Sequence, residues 1–261
     1  MTGAPLPGWW RLRSSTSSQP VSSTHNELVR RLRRLGRRRE PGEVLLEGPR
    51  VVREAVACGV RLELLALREG VELDVPAERR VTLGERAFAI AAQATTPQGV
   101  LAVARAEPGS AGEALAAASA AGWPLVVLDG VQDPGNVGAI CRSAAAAGAP
   151  AVAVLDGSAD PLGAKAVRAS AGTVFRLVVG RGRWADLAGV PGWGAAAAGG
   201  VPWHQAPLDR APLVAFGGEA RGLRRDDLEL VTIPMAPGVE SLNVAAAAAV
   251  VLYEIRRRLE A

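Results

Sequence analysis

The chain alternates short apolar runs with segments of helical periodicity. Residues 125–128, 151–155 and 213–216 have the length and composition of buried strands, and segments rich in small residues with helical start and stop signals lie between them. Strands that alternate with helices predict an α/β fold with a parallel sheet, whose ligands bind at the carboxyl ends of the strands. The same alternation between residues 44 and 104 predicts a smaller α/β unit.

Two stretches interrupt this pattern. Residues 1–20 mix Pro, Gly, Ser and Thr without periodicity, which predicts a flexible N-terminal extension. The run Arg-Ala-Glu-Pro-Gly-Ser at residues 105–110 is typical of a boundary. We therefore expect a smaller α/β domain over residues 21–106, a linker with an alanine-rich helix over residues 107–122, and a larger domain over residues 123–261.

Composition limits the chemistry available to the chain. Of 261 residues, 49% are apolar and 21% are charged, which predicts folded domains with ample cores. Only Cys58 and Cys141 are present, a number typical of a reduced, cytoplasmic protein, and the two histidines His25 and His204 leave little for a metal site. No segment approaches the ~20 apolar residues of a membrane span. We expect neither a metal nor a membrane.

Positive charge is concentrated on one predicted helix. Seven arginines between residues 30 and 39 surround an apolar stripe of Leu28, Leu32 and Leu35, and the chain as a whole carries a net charge of +4. Such a run is either a solvated face or a surface that binds phosphates, and the near absence of interleaved acids favours phosphates. The residues predicted to bind RNA are Arg30, Arg31, Arg33, Arg34, Arg37, Arg38 and Arg50.

Three loops that follow predicted strands contain the candidate chemistry: residues 129–142, 217–222 and 236–243. Asn136 is expected to cap the helix after the first loop, and Ser241 or Asn243 the helix after the third. The loops contain no G-x-G-x-x-G fingerprint, P-loop, Ser/His pair or metal cluster, which argues against nicotinamide chemistry and NTP hydrolysis. What remains is a backbone-rich pocket with one arginine and few acids.

Three motifs in these loops carry a resemblance to a known family. Residues 129–144 (DGVQDPGNVGAICRSA), 217–223 (GGEARGL) and 233–244 (IPMAPGVESLNV) resemble, in order, the three motifs of the SpoU (TrmH-type) RNA 2′-O-ribose methyltransferases. Residues 46–54 (LEGPRVVRE) and 97–100 (PQGV) resemble the substrate-binding domain of that family more loosely. The resemblance implies a SPOUT fold, a parallel sheet with a C-terminal deep trefoil knot, and a homodimer with the pocket near its interface.

The resemblance also implies roles for individual residues. S-adenosylmethionine is expected to bind largely through backbone groups near Phe216, Gly217, Gly218, Ile233, Met235, Ser241 and Leu242. Arg142 matches the catalytic arginine at the ribose 2′-hydroxyl, and the polar residues expected around it are Asn136, Glu219, Ser241 and Asn243. Relatives often carry Asn before the motif-two glutamate and Gly after it, where this chain has Gly218 and Ala220, so a cofactor hydrogen bond is expected to be missing.

We therefore predict S-adenosylmethionine-dependent 2′-O-ribose methylation of structured RNA, with ribosomal RNA favoured. Two alternatives stay open at this point: a tRNA ribose methyltransferase, and a non-catalytic RNA-binding protein on the same fold. The sequence also leaves open whether Arg142 accepts the hydroxyl proton or only orients the ribose. An arginine guanidinium keeps its proton near neutral pH, so it is a poor general base.

Overall fold

The computed structural model describes residues 15–16, 19–219 and 221–261, so most of the extension predicted at residues 1–20 lies outside the described residues. Contacts divide the chain into two compact units, Met1–Glu107 and Pro108–Ala261. Within the described ranges, no helix is both long enough and apolar enough to cross a bilayer.

The first unit contains a mixed sheet covered by helices. Its elements are β1 (Ser15–Thr16), α1 (Glu27–Arg37), β2 (Glu43–Glu47), α2 (Pro49–Ala57), β3 (Leu62–Arg68), β4 (Arg79–Leu83), α3 (Glu85–Ala91) and β5 (Val100–Arg105). The described strands run in the order β1-β4-β3-β5-β2, with β5 antiparallel to both of its neighbours. Helix α1 begins at the cap Asn26 and buries Val29, Leu32 and Leu35, so Val29 takes the place that the pattern gave to Leu28.

The second unit is built on a parallel sheet. Its elements are β6 (Gly109–Ser110), α4 (Ala111–Ala120), β7 (Leu125–Asp129), α5 (Pro134–Ala147), β8 (Ala151–Leu155), α6 (Ala164–Ala169), β9 (Val178–Gly182), β10 (Trp193–Ala196), β11 (Val201–Pro202), β12 (Leu213–Gly217), β13 (Glu229–Thr232) and α7 (Val244–Leu259). Among the described residues the eight strands have the order β11-β13-β10-β12-β7-β8-β9-β6, and each pairing is parallel. The predicted α/β class with a parallel sheet is confirmed.

The alanine-rich helix α4 differs from the predicted linker. Ser110 and Glu113 form a capping box at its start, which satisfies two backbone N–H groups. Ala111, Ala114 and Ala118 are fully buried in a core cluster with the apolar side chains of β7 and β8. The helix is therefore part of the second unit, because its small residues allow close packing on the sheet.

Two strands are shorter than the apolar runs in which they lie. The run 174–179 begins in a short 3₁₀ helix (Thr173–Arg176), and β9 begins only at Val178. Strand β13 ends at Thr232, although the apolar residues Ile233 and Met235 follow it. Pro234 lies just beyond this end, and proline has no N–H to donate to a neighbouring strand.

Candidate active site

The first motif forms the start of α5, and its cap differs from the prediction. Asp133, and not Asn136, is the N-cap: its side chain accepts from the backbone N–H groups of Gly135 and Asn136. Pro134 occupies the first helical position, so the residue before it is the one placed to cap. Lys165 on α6 donates to Asp133 over 3.0 Å, and this hydrogen bond, helped by the backbone donors, holds the pKa of the Asp133 carboxyl below its usual value.

Because Asp133 takes the capping role, the Asn136 side chain is available for a contact across the site. Its Nδ2 donates to Glu219 Oε1 over 3.0 Å. Asn243 Nδ2 donates to the same carboxylate oxygen at 3.0 Å and to Asn136 Oδ1 at 3.1 Å. Asn243 Oδ1 meanwhile accepts from Ala245 N, so Asn243 caps α7 as predicted. One residue from each motif therefore meets in a single hydrogen-bonded cluster.

A larger cavity of about 520 Å³ lies on one side of this cluster. Its wall consists mainly of apolar side chains and backbone from β10, β12, β13 and the start of α7. All the residues predicted to bind the cofactor line it: Phe216, Gly217, Gly218, Ile233, Met235, Ser241 and Leu242. The structure thus brings together seven positions that are up to 26 residues apart in the chain, counting from 216 to 242.

A smaller cavity of about 470 Å³ lies beside the larger one and shares Gly218, Glu219, Gly222 and Val244 with it. Its other walls are formed by residues 129–133, Asn136, Gly157, Arg221 and Arg224, so several charged residues line it. The hydrogen-bonded cluster therefore stands between a mostly apolar cavity and a charged one. This is a suitable arrangement for a reaction between two differently shaped ligands.

Asp129 organises the smaller cavity, although the sequence analysis gave it no role. It is fully buried at the end of β7, and its Oδ2 accepts from Arg224 N at 2.7 Å and from Trp184 Nε1 at 2.9 Å. The Arg224 guanidinium pairs with the same carboxylate. A buried charge requires such partners. The sequence contains a signal for this pairing: Asp129 ends an apolar strand, and a buried acid needs a nearby cation.

The glycines of the second motif permit a close backbone approach. A Cβ at Gly217 would collide with the backbone of Gly222, and a Cβ at Gly218 would lie far inside contact distance of the Gly130 carbonyl. Gly218 N donates to Asp129 O at 2.9 Å, which holds the two loops at this separation. The departure noted at position 218 thus has a physical reason: in this chain no side chain fits there.

Arg142 is not part of the cluster within a single chain. It lies on the exposed side of α5, beyond Asn136, and lines neither cavity. Ser241 is exposed and lines the larger cavity, with no side-chain hydrogen bond recorded among the described residues. The structure therefore brings Asn136, Glu219 and Asn243 together and leaves Arg142 apart.

The arginines of α1 fall into two groups. Arg31 donates to Glu43 at 2.8 Å and to Glu63 at 2.7 Å, and Arg34 pairs with Glu40 at 2.7 Å. A second group is exposed and makes no ion pair recorded among the described residues: Arg30, Arg33, Arg37, Arg38 and, on α2, Arg50. Arg30, Arg33 and Arg37 follow the i, i+3, i+7 spacing and share one face of the helix.

Metal chemistry finds no support within the described ranges, where no group of three or more His, Cys, Asp or Glu side chains is placed to hold an ion. Cys141 is buried in α5, and burial raises the pKa of its thiol to about 12, so it stays protonated at neutral pH.

Comparison with known families matches both units. The SpoU rRNA methylase family matches residues 124–253, and the MRM3-like substrate binding domain matches residues 26–102. Among curated proteins, the 23S rRNA (guanosine(2553)-2'-O)-methyltransferase RlmP of Bacillus subtilis is 30% identical over 253 residues, which cover 90% of this chain and 98% of the relative.

Solved structures agree with this. An AdoMet-bound rRNA methyltransferase from Sinorhizobium meliloti aligns with a TM-score of 0.76 and 26% identity, covering 92% of this chain and 98% of the other. The SpoU methyltransferase AviRb from Streptomyces viridochromogenes, in complex with AdoMet, aligns with a TM-score of 0.73 and 26% identity, covering 90% and 100%.

Proposed function

The chain belongs to the SpoU rRNA methylase family, and from this premise we propose that it methylates the 2′-hydroxyl of a ribose in ribosomal RNA, with S-adenosylmethionine as methyl donor. It is an S-adenosylmethionine-dependent RNA methyltransferase with a SPOUT-type parallel sheet and an N-terminal substrate-binding domain. The observation that carries the proposal is the cluster of Asn136, Glu219 and Asn243 between the two cavities.

The larger cavity fits S-adenosylmethionine. Its volume of about 520 Å³ lies within the range of ligand sites, and Gly217 and Gly218 keep the backbone free of side chains on one wall. An adenine ring would contact apolar residues such as Ile233 and Leu242, while backbone groups of the loops provide the hydrogen bonds. When bound, the cofactor supplies a methyl group that its sulfonium already makes electrophilic.

The smaller cavity then receives the acceptor ribose. Glu219 Oε1 is occupied by the two amides, whereas no donor to Oε2 is recorded among the described residues. We expect Oε2 to accept a hydrogen bond from the 2′-hydroxyl and so fix the direction of attack, an alignment that is worth several kcal/mol. Asn136 and Asn243 hold the carboxylate in place for this purpose.

Arg142 is proposed to orient the 2′-oxygen and an adjacent phosphate through its planar fork of donors. A guanidinium does not lose its proton near neutral pH, so the hydroxyl proton is expected to leave late, to water. Because Arg142 lines neither cavity in one chain, we propose that a second copy completes the site. Exposed apolar residues on the outward face of α7, notably Tyr253 at 51% exposure, support a homodimer.

The free arginines of α1 are proposed to bind the RNA backbone. Arg30, Arg33 and Arg37 form a line about 10 Å long on one helix face, given a rise of about 1.5 Å per residue. Arg31 and Arg34, whose charges are matched by Glu43, Glu63 and Glu40, are assigned to the fold of the first unit instead. This divides the arginines that the sequence analysis treated as one group.

Three finer features also stay proposals. The C-terminal deep trefoil knot is supported by the place of β13 inside the sheet, between β10 and β11, and by the return of α7 to pack on α5. Tracing the backbone in a crystal structure would test it.

The homodimer is tested by sedimentation, where a single species of 26.9 kDa at low micromolar concentration would refute it. A cytoplasmic location is consistent with the cysteine content.

One experiment tests the activity. Ribosomal RNA and tRNA from cells lacking this gene are incubated with the purified protein and radiolabelled S-adenosylmethionine, and ribose methylations are mapped. We expect one new 2′-O-methyl group in ribosomal RNA. A label found in tRNA would favour the tRNA alternative. RNA binding without measurable S-adenosylmethionine binding by calorimetry would favour a non-catalytic protein on the same fold.

A further inference from the structure

We propose that Arg221 is a positioning residue for the acceptor nucleotide, binding one of the phosphodiesters that flank it in the smaller cavity. The inference rests on the proposed function, since it assigns that cavity to the RNA. Arg221 lies in the second motif, two residues after Glu219, and lines the same cavity. The sequence analysis gave it no role.

The acidic side chains that line this cavity have partners other than Arg221 among the described residues. Asp129 is paired with Arg224, and Asp133 accepts from Lys165 and from the first turn of α5. Glu219 Oε1 accepts from Asn136 and Asn243. Arg221 is exposed, and no ion pair or hydrogen bond of its side chain is recorded among the described residues. An anion that enters the cavity therefore meets Arg221 as the cation that is not already neutralised.

Arg221 and Glu219 both lie between two glycines that contact each other. Gly222 N donates to Gly218 O over 2.8 Å, and the two glycines form an isolated bridge. Gly222 has a φ of +63°, a conformation that glycine adopts without steric cost. Two further hydrogen bonds hold this segment in place. Gly218 N donates to Asp129 O, and Arg224 N, just after the segment, donates to the Asp129 carboxylate.

Val131, which also lines this cavity, is held in place as well. Val131 N donates to Ser158 Oγ at 3.1 Å, and Ser158 Oγ donates to Leu128 O at 3.1 Å, both in buried surroundings. An RNA phosphate held by Arg221 would thus sit at a defined place with respect to Glu219. Because the 2′-hydroxyl is tied to its flanking phosphates through the ribose, fixing one of them restricts where the hydroxyl lies.

The test compares Arg221→Gln and Arg221→Lys with the wild type and with Arg210→Gln. Arg210 is an exposed arginine of the second unit that lines neither cavity. Methyl transfer to ribosomal RNA from cells lacking this gene is measured at several salt concentrations, and S-adenosylmethionine affinity is measured by calorimetry.

For Arg221→Gln we expect kcat/KM for RNA to fall at least tenfold, with unchanged cofactor affinity. The slope of log KM against log salt should also decrease by about 0.7 to 0.9, the loss of one phosphate contact. Arg221→Lys should recover most of the activity, because a lysine ammonium also binds a single phosphate as a point charge. Arg210→Gln should stay within about twofold of the wild type.

An unchanged kcat/KM and salt slope in Arg221→Gln would overturn the inference while leaving the proposed function intact. Loss of cofactor affinity, or no recovery by lysine, would also contradict it, because the defect would then lie in the shape of the turn. A wild-type protein that methylates no RNA would instead overturn the proposed function, and this inference with it.

Discussion

Helix α1 and the loop cluster of the second unit use polar residues in different ways. On α1, several arginines project into solvent with little fixed geometry, and the helix buries only Val29, Leu32 and Leu35. In the cluster, Asn136, Glu219 and Asn243 make three mutual hydrogen bonds of 3.0 to 3.1 Å and none of them is a cation. The first region is suited to attract RNA of many sequences, the second to align one hydroxyl.

This difference predicts which substitutions each of the two regions tolerates. A surface that works through charge should accept lysine for arginine, since either cation releases counterions from the phosphate backbone. A site that works through geometry should not, since alignment depends on the direction of each donor.

The largest effect is expected at Arg142. Arg142→Lys should lower kcat by roughly two orders of magnitude or more, because an ammonium does not hold the ribose oxygen and a phosphate together as the planar fork does. Cofactor affinity should change little, since Arg142 does not line the larger cavity. A variant within about tenfold of wild type, a barrier change near 1.4 kcal/mol, would show that charge alone suffices there.

A smaller loss is expected at Gly218. Gly218→Ala places a Cβ against the Gly130 carbonyl, so the wall between the two cavities must shift. Overpacking typically costs about 1–3 kcal/mol, which we expect to appear as a roughly tenfold to hundredfold weaker S-adenosylmethionine affinity by calorimetry. The matched control is Gly112→Ala in α4, where the nearest atom to the added Cβ is 3.9 Å away. Equal affinity in both variants would refute the close approach.

The arginine line on α1 comes next. Arg33→Gln with Arg37→Gln should weaken RNA binding about tenfold near 0.15 M salt and reduce the salt slope by about 1.5, while lysine at both positions should restore binding. The control pair, Arg31→Gln with Arg34→Gln, removes the same charge from arginines already paired with acids. A control slope that falls as far as the test slope would show that only total charge matters.

The smallest effect is expected on the free energy of unfolding, at a buried carboxylate of α7. Glu254 in α7 is 5% exposed, and the hydrogen bond from Arg257, with help from Arg258, lowers the pKa of its carboxyl from 4.5 to about 2. A lowered folded-state pKa stabilises the fold above pH 4.5, and this stabilisation is lost as the pH falls from 4.5 through about 2.

Glu254→Gln should therefore lower the free energy of unfolding by about 1 kcal/mol at pH 7, since Arg257 remains solvated, and by less as the pH approaches 2. Urea unfolding at pH 7, 4.5 and 2.5 measures this difference. Glu260→Gln, at an exposed pair with Arg256, serves as the control and should be neutral. A Glu254→Gln deficit that is constant with pH would contradict the ionic cause.

Much of the candidate site could be predicted from the sequence. The three motifs predicted a ligand site at the carboxyl ends of β7, β12 and β13, and the glycine and proline content predicted a backbone-rich wall. The methyltransferase family, the cofactor and the parallel sheet are confirmed. The roles of the single site residues stay predictions, because they depend on bound ligands and on the proposed second copy of the chain.

The errors share one cause. Asn136 is predicted as a cap and the helix at residues 111–120 as part of a linker, since both predictions consider only neighbours in sequence. The partner of Asn136 lies far along the chain, since Glu219 is 83 residues away. Arg31 likewise pairs with Glu63 from 32 residues away, and its role in RNA binding stays a prediction. Local pattern indicates which side chains are polar and which segments form strands or helices, but not which distant group will satisfy a polar side chain.

The alternation of strands and helices, the two-unit organisation and the excess of positive charge on α1 follow from the sequence alone, because they depend on periodicity and composition. The family follows from the resemblance of the three motifs. Only the tertiary structure decided that Asp133 frees Asn136, that Asp129 is buried against Arg224, and that Gly218 faces the Gly130 carbonyl. These contacts arise where strands and helices pack. A buried polar group must find its partner there, and the identity of that partner is a property of the fold.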